Sequence, residues 1–107
     1  MLDFLKFGKK MPAWLALEAK DSSRSCQKSV DRTMKAIKKL MLSDDQAKSF
    51  FKVELNYQKD KKSIREMYFH IPDVRDEEMK ILSERKLQEM QAFLDANQWA
   101  LYRVESI

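Results

Sequence analysis

The chain has 107 residues, 44% hydrophobic and 36% charged, with 21 Lys and Arg against 17 Asp and Glu for a net charge of +4. That length supports one domain with one core, the single cysteine excludes an intramolecular disulfide, and no apolar run approaches the length of a membrane span. Asp3, Lys6, Lys9 and Lys10 interrupt any secretory signal at the start, so a reducing, cytoplasmic setting is expected.

The charge is unevenly placed. Residues 1–42 carry ten cations against four acids, residues 43–72 six against five, and residues 73–107 five against eight. A basic end and an acidic end suit a polyanion, an acidic protein or head-to-tail self-association.

Residues 1–11 read as a basic and apolar tail, too short for firm anchoring to a membrane surface. In "PAWLALEAK" the residues Ala13, Leu15, Leu17 and Ala19 alternate like one face of a strand, although their helix propensity is good. The first clear helix follows "DSS". Asp21, Ser22 or Ser23 caps it, and Cys26, Val30, Thr33, Met34, Ile37, Leu40 and Met41 form its apolar stripe, ending before "SDDQ". Cys26 is therefore expected to be a buried, poorly reactive thiol.

Phe51, Val53, Leu55 and Tyr57, then Met67, Phe69 and Ile71, alternate with polar residues on either side of "KDKKS", which predicts a β-hairpin with a long loop. Its register sets Val53 opposite Phe69, Leu55 opposite Met67 and Lys52 opposite His70. A second helix is predicted from about Arg75 to Asn97, with Met79, Leu82, Leu87, Met90, Phe93 and Leu94 inward and Lys86 extending its ammonium to solvent. "WALYRVESI" alternates as a closing strand.

A strand at Ala13–Ala19 completes the order βαββαβ. The expected fold is thus a single α+β domain over residues 12–107, ferredoxin-like, with a four-stranded antiparallel sheet and both helices on one face. The alternative is a three-stranded sheet preceded by an N-terminal helix.

In that fold the open sheet face carries Trp14, Lys52, Tyr68, His70, Trp99, Leu101 and Arg103, and an uncovered aromatic face needs a partner. A second copy pairing sheet to sheet is the expected partner, or another protein. The layout is also similar to RNA-recognition-motif domains, with Trp14 and Tyr68 on the central strands, which implies base stacking. "SIREMYFHI" lacks that family's glycine-containing signature, and Glu18, Glu54 and Glu66 would repel phosphate.

The other candidate surface is the outer stripe of the first helix. There Arg24, Lys28, Arg32, Lys35 and Lys39 recur every three or four residues, with only Asp31 near, and can follow a polyanion. No HxH, CxxC, GxGxxG or Walker pattern is present, so no catalytic residue, metal or cofactor is expected. A non-enzymatic binding or regulatory domain is expected, acting through protein contacts, with nucleic acid as the alternative partner.

Overall fold

Ser23 has extended backbone angles and its hydroxyl accepts from the Cys26 amide at 3.2 Å, while its own amide donates to Asp21 Oδ1 at 2.8 Å. This cap starts a 17-residue helix whose apolar stripe buries Cys26, Val30, Thr33, Met34, Ala36 and Leu40. The computed structural model describes residues 11–105, and all of its regular elements are helices. In chain order they are α1 Ala13–Glu18, α2 Arg24–Leu40, α3 Asp44–Met67, α4 Pro72–Gln91 and α5 Ala96–Glu105.

The expected ferredoxin-like α+β fold is therefore wrong, and the alternative with a three-stranded sheet is wrong with it: no strand occurs among the described residues. Residues 13–18 are helical, the hairpin segments 51–57 and 67–71 lie in α3 and in the turn after it, and the expected closing strand is α5. The tail at residues 1–11 lies outside the described residues except for Met11.

Two capping motifs explain much of this. At "SDDQ" the Gln46 amide donates to Ser43 Oγ at 3.2 Å and the Ser43 amide donates to Gln46 Oε1 at 2.9 Å. That capping box starts α3, with Asp44 and Asp45 favourably placed in its first turn. At "DANQ" the Gln98 amide donates to Asp95 Oδ1 at 2.8 Å and the Asp95 amide to Gln98 Oε1 at 3.0 Å, which starts α5 in the same way.

The two boxes meet. Gln46 Nε2 donates to Gln98 Oε1 at 2.7 Å and to the Phe93 carbonyl at 3.0 Å, while Gln98 Nε2 donates to Gln46 Oε1 at 3.0 Å and to the Leu40 carbonyl at 3.2 Å. One reciprocal amide pair thus ties together the ends of α2 and α4 and the starts of α3 and α5.

The core has two clusters on either side of α3. Ala36, Leu40, Phe50, Met90, Leu94 and Tyr102 form one, and Leu15, Ala19, Cys26, Val30, Met34 and Phe51 form the other. The six-residue α1 is too short to persist alone. It is held by buried Leu15, by Trp14 Nε1 donating to Asp44 Oδ1 at 2.9 Å, and by Gln27 Nε2 donating to the carbonyls of Ala19 and Asp21.

The chain's one glycine is Gly8, and α2 ends without one, on Met41 in the left-handed region at φ 54° and ψ 51°. A side chain there costs roughly 1–2 kcal/mol, and Met41 is exposed, so it returns no packing. Met41→Gly should therefore raise the melting temperature by a few degrees, about 0.5–1 kcal/mol after the entropy glycine adds to the unfolded chain. An unchanged or lower melting temperature would contradict the assignment of strain to this residue.

Candidate functional site

α3 has 24 residues, a length of about 36 Å. Its buried residues, Ala47, Phe50, Phe51 and Glu54, all lie in its first half, where α2 and α4 both pack on it. Beyond Tyr57 none of its residues is fully buried, and the C-terminal half of α3 forms with the N-terminal half of α4 a two-helix arm. Met67, Phe69, Ile71, Val74 and Ile81 on this arm are between 39% and 68% exposed. Together they present on the order of 500 Å² of apolar surface, in the range of the largest, often functional, patch on a monomer.

The arm is also grooved. A depression of about 260 Å³ runs between its helices, lined by Asp60, Ser63, Ile64, Glu78, Ile81, Leu82 and Arg85. Arg85 spans it to Asp60 at 2.7 Å. Ile81 lies two helical turns from Val74 on the same face of α4, so the groove continues the apolar surface at the tip.

At the root of the arm is a buried charge cluster. The carboxylate of Glu54 on α3 is wholly buried and meets Arg32 Nε of α2 at 3.1 Å and Lys86 Nζ of α4 at 2.8 Å. Neither contact has hydrogen-bond alignment, so the attraction is chiefly between charges. Lys86 also lies over the Tyr57 ring, 4.2 Å from its centroid. Lys86 was expected to extend its ammonium to solvent; instead its side chain is 10% exposed and its charge points into the core.

The residues expected on one open sheet face are scattered. Trp14 packs edge-on against Phe51 and bonds to Asp44 at the start of α3, whereas Tyr68 and His70 follow its far end. Lys52 is exposed on α3 between them. Trp99, half-buried on α5, stacks on Tyr102 with the Arg103 guanidinium 5.6 Å from its ring, and Leu101 and Arg103 are exposed there. They share no face because the elements carrying them are helices, whose side chains do not alternate between two sides. Of the set, only Tyr68 and His70 belong to the arm, with His70 against Phe69 at 4.7 Å between ring centroids.

The basic stripe fares differently. Arg24, Lys28 and Lys35 are exposed on α2 as the spacing requires, joined by Lys38. Arg32 is turned toward Glu54, and Lys39 reaches Glu105 of α5 at 2.8 Å. The hairpin reading hides the arm's apolar end because it turns Met67, Phe69 and Ile71 inward to a sheet, and it places no weight on Val74 or Ile81. A run of "MYFHIPDV", with apolar residues on both sides of a turn, was the available signal.

Burial raises the pKa of the Cys26 thiol above its ordinary 9.0, with Asp21 and Glu18 adding to the effect, and Cys26 Sγ lies 3.2 Å from the Glu18 carbonyl. Burial, then the Glu54 charge, pushes the Tyr102 phenol well above its ordinary 10.0. Both groups are raised in the folded state, so their contribution to stability is complete below the ordinary values and is lost as pH rises past them. From neutral pH the melting temperature should be level to about pH 9 and fall above it, and Tyr102→Phe should flatten the fall. A melting temperature independent of pH up to 11 or so would contradict this.

Among the described residues no group of three or more His, Cys, Asp or Glu is placed to hold a metal ion, and no helix is long and apolar enough to cross a membrane. No protein-family model, curated protein or solved structure matches the chain.

Proposed function

We propose that the chain is a protein-binding module, non-enzymatic and working in the cytoplasm, whose docking surface is the apolar end of the α3–α4 arm. The observation that carries this reading is the exposure of Met67, Phe69, Ile71, Val74 and Ile81 on a two-helix arm that no third layer covers among the described residues. Scattered exposed apolar residues are ordinary, but four within eight consecutive residues around one turn are not. The buried free thiol of Cys26 suits the reducing compartment.

The test replaces Phe69 with a photoreactive benzophenone analogue and irradiates living cells. A protein adduct at position 69 that disappears in Val74→Ser/Ile81→Ser, with none from the same analogue at exposed Gln91, supports docking at the arm. Absence of any protein adduct overturns it.

A second reading rests on α2, which carries six cations against one acid. Arg24, Lys28, Lys35 and Lys38 make no ion pair among the described residues, leaving them free to meet a polyanion. In this reading double-stranded DNA binds, and Lys28→Glu/Lys35→Glu reduces affinity at low salt by at least about tenfold and lowers its salt dependence. DNA binding unaffected by that pair excludes α2 as the contact.

A further inference from the structure

We infer that the arm's partner is a second copy of the chain, the two arms lying face to face with their tips level, so that α3 of each copy faces α4 of the other. The inference rests on the docking reading above and adds the identity and orientation of the occupant. Its basis is the distribution of charge around the apolar face.

Ser63, Ile64, Glu78, Ile81 and Arg85 line the groove, which fixes the phase of each helix. On the outer edge of α3 this phase leaves exposed Lys59 and Lys62 against one acid, Glu66; on the outer edge of α4 it leaves exposed Asp73, Glu77 and Glu84 against one cation, Lys80. One rim of the face is therefore basic and the other acidic. A two-fold axis running along the arm sets the basic rim of each copy against the acidic rim of the other, on both sides of the interface.

The heights agree as well. Lys62 lies five residues before the last residue of α3 and Glu77 five after the first of α4, so with the tips level Lys62 of one copy meets Glu77 of the other. An axis across the arm instead sets α3 against α3, basic rim on basic rim. The apolar area also suits a pair: on the order of 500 Å² from each copy gives about 1,000 Å² in total, the lower bound of a specific interface.

A charge exchange tests this directly. Lys59→Glu/Lys62→Glu makes both rims acidic, and Asp73→Lys/Glu77→Lys makes both basic. All four residues are exposed, so circular dichroism should show unchanged helix content in each variant. In sedimentation equilibrium the unaltered chain should show a two-chain mass that dissociates on dilution. Each variant alone should associate at least about tenfold more weakly, and an equal mixture should recover the two-chain mass as a mixed pair.

A single-chain mass for the unaltered protein up to millimolar concentration would overturn the inference, as would variants that each self-associate like the parent. The photoreactive analogue at position 69 separates the two levels. An adduct with a different protein leaves the docking reading standing and overturns self-pairing, whereas no adduct removes both.

Discussion

Replacing Glu54 with alanine is expected to cost about 3 kcal/mol, lowering the melting temperature by on the order of 15 °C. Methylene loss is the smaller part of this. Lys86, only 10% exposed, would be left as a buried ammonium with no counter-charge, while Arg32, about one-third exposed, can turn to solvent. The cation–π contact with Tyr57 compensates Lys86 only in part.

A companion variant separates the ion cluster from the packing. Arg32→Met, Glu54→Leu and Lys86→Met together keep most of the volume and remove every buried charge, and should come within about 1 kcal/mol of the parent or exceed it. A Glu54→Ala chain that melts within about 3 °C of the parent, or a triple variant no better than Glu54→Ala, would show that charge desolvation does not govern this site.

Gln98→Leu should have the next largest effect, about 2 kcal/mol. Gln98 is buried and its side chain makes hydrogen bonds to three residues: it accepts from Asp95 and Gln46 and donates to Gln46 and the Leu40 carbonyl. Leucine fills similar space but leaves those groups unsatisfied, and an orphaned buried polar group is the costly outcome. Gln46→Leu strands part of the same set, so the double variant should lose less than the two single losses combined, by about 1 kcal/mol. Denaturant midpoints at unchanged slope would measure it. Strict additivity would mean that the two amides do not act as a unit.

The sequence conveyed α2 well because the helix is buried on one side only, so Cys26, Val30, Thr33, Ile37 and Leu40 recur at helical spacing. It concealed α3 for the opposite reason. α3 is covered on two sides, by α2 and by α4, so Val53 and Leu55 are partly buried as well as Phe50 and Phe51, and the wide apolar arc imitates the alternation of a strand. A core position of α3 is held by Glu54, which breaks the apolar period at the place where it would have been decisive. The ion cluster itself was not legible, because nothing local in the sequence brings Arg32, Glu54 and Lys86 together.

The helix starts, by contrast, were written in the residues. "SDDQ" and "DANQ" both carry a capping residue followed three positions later by glutamine. Reading "SDDQ" only as the end of a helix lost α3, and extending a helix through "DANQ" to Asn97 turned α5 into a strand. Leu15 and Ala19, four apart on one helical face, likewise account for burial in α1 without any alternation.

The uneven support of α4 has a kinetic consequence. Its last turns are held by Met90, by Lys86 and by Gln46 bonding to the Phe93 carbonyl, whereas its first turns lean chiefly on α3 among the described residues. Backbone amides from about Val74 to Ile81 should therefore exchange with deuterated solvent through local fraying, orders of magnitude faster than those of α2, which require global opening. That difference makes the segment a built-in reporter: whatever seats on the arm must slow exchange there first, at a ligand concentration that leaves the rest of the chain unchanged.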